Sequence, residues 1–319
     1  MTAARVERTL HRAHRLRLAE FWCPPSSPRW HVPNVIPGSP HVVFPRTSSV
    51  IRHVGGEPTL ANAGHVMFYN AGQRYRRRLH DPSGDRCWFV ELRPSLLAEL
   101  GGDGEFRFAS GPSDPQARLL LHAAVRHLAA DRADALLAEE TLLEALSRAV
   151  AAAAAFHHSG QSSTPRPAWS ELVESAKELL TGTACERLSL DDLARRLHVS
   201  EFHLARAFRA GTGMSLHRYR TLLRLELALE RLADPETDLA RLARELGYAS
   251  HSHFTDRFRG VFGVPPSAVR GVMGRRTLQE LHRVVRSPLR GRGRPPTRRL
   301  RRDPARPVPS PSGESASRG

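Results

Sequence analysis

The C-terminal half of this 319-residue chain carries one short pattern twice. Leu190, Leu193, Ala194 and Leu197 form an i, i+3, i+4, i+7 set, and Leu239, Leu242, Ala243 and Leu246 repeat it. Each set is the buried face of an α-helix. Both copies continue into a second short helix, with Ser200, Leu204, Phe208 and Gly213 matched fifty positions later by Ser250, Phe254, Phe258 and Gly263. Ser189 with Asp192 forms a capping-box pattern, Ser200 and Ser250 are placed to cap the second helices, and Gly247 to end the first helix of the second copy. Two short helices joined by a tight turn make a helix-turn-helix. Between the copies, about Ser215 to Leu232 reads as one long helix with Leu225, Ala228, Leu229 and Leu232 on its apolar face. At about 1.5 Å per residue it spans roughly 27 Å, of the order of one turn of B-DNA.

Helical hairpins also occur in proteins that never touch DNA, so the polar faces decide. With Leu204, Ala207 and Phe208 assigned to the core, the first copy turns Glu201, Phe202, His203, Ala205, Arg206 and Arg209 outward, starting from Ser200. The second turns out His251, Ser252, His253, Thr255, Asp256, Arg257 and Arg259, starting from Ser250. Donors and acceptors of this kind reach base edges in a major groove, while flanking arginines neutralise phosphate. The 48 Lys+Arg against 32 Asp+Glu, a formal net charge of +16, likewise favour a polyanionic partner. Lys177 is the only lysine, and this arginine bias is given no functional weight.

From His41 to Arg93 short apolar segments (HVVFPR, SSVIRHV, GHVMFYN, CWFVELR) alternate with Gly- and Pro-containing turns, which predicts a small β-rich barrel or sandwich. Helical stretches follow at about Asp114–Leu128 and Ala133–Phe156, to cover the sheet or pair two subunits. Ser159 to Pro167 is polar and reads as a linker. From Met273 onward thirteen Arg face only Glu280, Asp303 and Glu314, a composition with little to bury. The expected organisation is a basic N-terminal extension (1–30), a sensor and dimerisation domain (31–158), a linker (159–168), a DNA-binding domain (169–272) and a basic, mostly disordered tail (273–319).

The sequence LSLDDLARRLHVSEFHLARAFRAGTGMSLHRYR, then RLELALERL, then LARLARELGYASHSHFTDRFRGVFGVPPSAVR resembles the AraC/XylS family of bacterial regulators over about Trp169 to Arg270. A pattern of that family falls on Gly247, Tyr248, Ser250, Phe254, Phe258, Gly263 and Pro266. The resemblance implies an α+β chain, with an N-terminal cupin-like β-barrel and helices followed by an all-α domain of two helix-turn-helix units joined by a long helix. It implies that the helices starting at Ser200 and Ser250 read DNA, with Arg206, His251 and Ser252 at base-reading positions. Ala205 stands where some relatives carry a polar reader, and Val269 where the family's closing aromatic is usual. In many members of that family the N-terminal domain senses a small molecule. Here Arg46, Tyr69, Tyr75, Arg76 and Trp88 are the candidate effector pocket for an aromatic or anionic compound, although Trp88 and Tyr69 equally suit filling the barrel. His41, His53, His65 and His80 lack the His-x-His spacing of a metal cupin, so no metal and no cofactor are expected.

No GxSxG, P-loop, GxGxxG or HExxH motif is present, and Asp191-Asp192 and Glu139-Glu140 suit helix starts and solvent faces, so no enzyme is expected. Cys23, Cys87 and Cys185 are scattered, which excludes a disulfide framework and the zinc cluster of related DNA-repair methyltransferases. The longest apolar run, Ala149 to Phe156, is too short to span a bilayer, and the arginine-rich start lacks the apolar core of a signal peptide. The expectation is a cytoplasmic, nucleoid-associated transcription regulator. Its expected partners are double-stranded DNA, RNA polymerase, a small-molecule effector and a second copy of the chain, without a membrane. The alternative is a nonspecific nucleic-acid binder driven by the basic tail.

Overall fold

Strand alternation sorts the N-terminal half into two faces. The computed structural model describes residues 6–101, 104–130, 133–159 and 167–286. One antiparallel sheet runs in the order β1 (Glu7–Arg12), β2 (Leu16–Cys23), β9 (Asp85–Leu92), β4 (His41–Pro45), β7 (His65–Tyr69) and β10 (Ser110–Pro112). A second runs β3 (Asn34–Val35), β8 (Arg74–Leu79), β5 (Ser49–His53) and β6 (Thr59–Ala61). Along the larger sheet Val42, Phe44, Val66, Phe68, Trp88 and Val90 point one way, into a core closed by Ala117, Leu121, Leu142, Leu146 and Ala149. Those closing residues come from α2 (Pro115–Leu128) and α3 (Ala135–His158), while the short α1 (Pro94–Glu99) follows β9. The alternate residues Met67, Tyr69, Cys87 and Phe89 face the smaller sheet. This is the period-two rule of a strand buried on both sides, and α3 spends its apolar face covering the sheet.

Two expectations for this half are corrected. Of the expected extension 1–30, the described residues 6–30 are part of the fold: β1 and β2 are full members of the larger sheet, with Leu16, Leu18, Phe21 and Cys23 buried. The arginines that suggested a tail fall between those apolar positions or on the exposed edge. The closed cupin-like barrel is also not formed among the described residues, because no strand pairing joins the two sheets. Strands such as β3, β6 and β10, of two or three residues, are too short to carry a continuous ring of hydrogen bonds.

The C-terminal half is helical: α4 (Pro167–Gly182), α5 (Leu190–Arg196), α6 (Glu201–Thr212), α7 (Leu216–Arg231), α8 (Leu239–Glu245), α9 (His251–Phe262) and α10 (Arg275–Arg286). The α5–α6 and α8–α9 pairs are the two predicted helix-turn-helix units. Ser189 and Asp192 make the reciprocal capping box, and the Ser200 and Ser250 hydroxyls accept from the backbone N–H of His203 and His253. Both first helices end in the same way. Val199 N–H donates to Ala194 O (3.1 Å) and Tyr248 N–H to Ala243 O (2.9 Å), the six-to-one bond of a Schellman turn. The left-handed residue of that turn is Gly247 (φ 75°) in the second unit but His198 (φ 55°) in the first.

Helix α10 lies beyond the expected domain boundary at 272. Leu278, Leu281 and Val285 form an apolar stripe that buries against the rest of the fold, which the arginine-rich composition had masked. The part of the tail from residue 287, and the linker residues 160–166, lie outside the described residues.

The two halves share one core within the compact unit Met1–Ser287. Leu119 and Ala123 of α2 and Leu137 of α3 pack in one cluster with Leu229, Phe258, Phe262 and Leu278. The second helix-turn-helix is therefore built partly on the N-terminal half.

Candidate nucleic-acid interface

The outward faces of α6 and α9 are open. Glu201, Phe202, Arg206 and Arg209 are exposed along α6 while Leu204, Ala207 and Phe208 are buried. Phe202 is 77% exposed, a large apolar ring held in solvent at the start of the helix. On α9, His251, Ser252, His253, Arg257 and Arg259 are exposed over buried Phe254, Phe258 and Phe262, with Thr255 half-buried. His203 is half-buried against Trp169, and the Arg206 guanidinium stands 5.7 Å from that ring. The hydroxyls of Ser200 and Ser250 are spent as caps, so these residues frame the helices more than they add free donors.

Helix α7 sets the two units against each other. Arg224 donates to Ala184 O (2.5 Å) and Glu186 O (2.8 Å) of the α4–α5 connection and lies 5.6 Å from the Tyr248 ring of the other unit. Gly247 touches the same connection: a Cβ there would overlap the Cys185 carbonyl oxygen. Arg220, Arg224 and Arg257 gather around His217, where burial first and then these charges hold the imidazole below its ordinary pKa. A concentrated positive field of this kind favours a polyanion across both units.

Opposite the reading helices, the N-terminal half grips α7. Tyr219 is fully buried and donates to Asn62 Oδ1 (2.7 Å), and Gly64 leaves the room its ring needs, since a Cβ there would overlap that ring. One turn pair further on, Glu226 Oε1 accepts from Arg118 (2.9 Å) and lies 2.8 Å from His122 Nε2, all three groups buried. Arg118 also donates to Pro45 O, His65 O and Ser113 Oγ at 2.8–3.0 Å, so both terminal nitrogens and Nε are engaged. Arg46 bridges Glu230 (2.6 Å) and Glu20 (2.5 Å) and stacks 4.3 Å from the Trp88 ring centroid. Arg126 caps α7 by donating to Leu229 O. His122, Glu226 and Glu230 come within 4.8 Å of one another, the spacing of metal ligands, but both carboxylates are already neutralised by arginine. Sequence reasoning missed this clamp. Its signal was Glu226 within the otherwise apolar stripe Leu222, Leu225 and Leu229.

The candidate effector residues separate. Tyr69 and Tyr75 line a cleft between the two sheets, while Arg46 and Trp88 belong to the clamp and helix-side core, and Arg76 is exposed. In the strand RYRRRL, Tyr75 and Arg77 point inward and Arg76 outward, so the cleft arginine is Arg77. Trp88 likewise alternates with the cleft residues Cys87 and Phe89.

Residues 193–271 match a family profile described as a helix-turn-helix domain. A putative AraC-like transcription regulator of Streptomyces lividans is 38% identical over 99 residues, 31% of this chain and 33% of that protein. The HTH-type transcriptional activator AarP of Providencia stuartii is 30% identical over 101 residues, 32% of this chain but 75% of AarP. This chain belongs to the AraC-type regulators. A crystal structure of an AraC-type transcriptional regulator from Chromobacterium violaceum is 27% identical, covering 33% of this AraC-type chain and 94% of the other, with a TM-score of 0.31. The aligned part spans about a third of the longer relatives, 35% of the Msm operon regulatory protein of Streptococcus mutans among them. Among the described residues no helix is long and apolar enough to cross a membrane.

Proposed function

We propose that this AraC-type chain is a sequence-specific regulator that binds double-stranded DNA through α6 and α9, in the cytoplasm, and responds to a small molecule held by its N-terminal half. The observation that carries this reading is the duplicated, identically capped pair of helices whose free faces both present arginine. Arg206 and Arg257 are the readers of base edges, with His251, Ser252 and Phe202 beside them, and Arg209 and Arg259 meet phosphate. With α7 of sixteen residues between the units, about 24 Å long, the helices suit successive major grooves on one face of a duplex. Activation, with RNA polymerase as partner, is the outcome carried over from AarP, which is named an activator. The clamp on α7 and the packing of α2 on α9 support an effector response, because both couple the N-terminal half to the helices that hold the readers.

Hydroxyl-radical footprinting of the full chain on a bound duplex tests the reading. Two protected patches about one helical turn apart on one face are expected. Unbroken protection along the duplex would instead indicate nonspecific coating by the arginine-rich sequence after residue 287.

A further inference from the structure

We propose that the cleft between the two sheets binds an uncharged, planar aromatic molecule of about two fused rings. The inference rests on the reading of the N-terminal half as the sensing half. The cleft has a cavity volume of about 110 Å³, below the roughly 300–1,000 Å³ of sites for drug-sized ligands, which limits its occupant to about two fused rings. Phe21, Phe89, Tyr69 and Tyr75 bring four rings to its wall, and Met67 adds a thioether. Tyr69 and Tyr75 stand 5.0 Å apart at 58°, the tilted geometry in which a further ring finds both faces and edges.

Charge disfavours the ionic alternatives. Apart from Arg29 at its rim, the arginines lining the cleft are paired: Arg77 with Asp85 at 2.9 Å, both almost fully buried, and Arg17 with Glu7 and Glu91. Arg77 also donates to the Tyr75 hydroxyl. A carboxylate entering the cleft would meet Asp85 and Glu7, and a cation would meet Arg77 and Arg17. A cation would have to break one of these pairs and a carboxylate would lie against Asp85, whereas the buried Arg77 Nε–H, which has no hydrogen-bond partner among the described residues, suits an uncharged acceptor such as an amide carbonyl. Burial lowers the His41 pKa and raises that of Tyr69, so both present neutral groups. Arg29 stands exposed at the rim, 6.0 Å from the Phe21 ring. What remains to the ligand is ring contact and neutral hydrogen bonding.

Calorimetric titration of the full chain with three compounds of one shape tests this: 2-naphthamide, 2-naphthoate and 2-naphthylmethylammonium. The amide is expected to bind with a Kd under about 1 mM and each ion at least about tenfold more weakly. Met67→Trp, which fills the cleft, is expected to weaken amide binding by at least about tenfold. Hydrogen exchange of the unaltered chain, which needs no variant to fold, should show the amide protecting β5, β7 and β8. Tightest binding by either ion, no binding by any of the three, or protection confined to other elements would overturn the assignment. DNA affinity measured with and without the amide separates the two readings. Binding in the cleft with unchanged DNA affinity supports the site and overturns the sensing role.

Discussion

Replacing Arg118 by alanine is expected to destabilise the folded chain by about 3–5 kcal/mol, because it strands a buried carboxylate. Glu226 sits on α7 with Arg118 and His122 as its partners, and Arg118 ties it to the carbonyls of Pro45 and His65. Denaturant unfolding of the full chain reads the change. A loss below about 1 kcal/mol would mean that water or a rearranged side chain replaces the guanidinium. The double variant Arg118→Met, Glu226→Leu should recover part of the loss, since it removes the stranded charge while His122 Nε2 and the carbonyls of Pro45 and His65 still lose a partner.

The same pair has a pH signature. Burial pushes the Glu226 carboxyl up, but Arg118 and then His122 outweigh it and hold the pKa at about 2, against an ordinary 4.5. A depressed carboxylate stabilises the fold at pH values above its unfolded pKa. Its contribution, roughly 3 kcal/mol, is therefore complete above about pH 4.5 and is lost as the pH falls toward 2. Glu226→Gln should flatten that part of the stability profile. An unchanged acid limb in the variant would show that other carboxylates set it.

Gly247→Ala is expected to cost about 2–4 kcal/mol, combining a left-handed backbone that alanine disfavours with overlap against the Cys185 carbonyl. The overlapping group is backbone in the connection leading to the first helix-turn-helix, so no side chain can swing aside. The substitution should also weaken binding to a two-block DNA site more than to either block alone, because Gly247 lies where the two units touch. Thermal unfolding and DNA titration check both effects. A melting temperature within a degree or two of the unaltered protein would contradict the close approach.

The helix-turn-helix units were legible because each rests on local rules. The period of Leu190, Leu193 and Ala194, the serine caps at 200 and 250, and Gly247 at a left-handed position are all set within one or two turns of chain. The N-terminal half depends on partners far away. Whether Arg76 or Arg77 faces inward follows from strand register, and three consecutive arginines give no local sign of it. Leu16 to Cys23 looked like part of a basic extension until pairing with β9 gave its alternate residues a core. The clamp joins Arg118 and Glu226 across more than a hundred residues, and although Glu226 interrupts an apolar stripe, nothing near it in the sequence names Arg118 as its partner. Helix α10 was hidden by composition, since Leu278, Leu281 and Val285 are few among arginines yet sit on one stripe.

The central claim is that α6 and α9 each read their own block of bases. Selection of bound sites from a randomised duplex library, with the full chain and its Arg206→Ala and Arg257→Ala variants, tests it most directly. The account predicts two enriched blocks about one helical turn apart, each variant blurring one block and sparing the other, at a cost of about 1–3 kcal/mol per lost contact. No enriched sequence, or one block blurred alike by both variants, would contradict it.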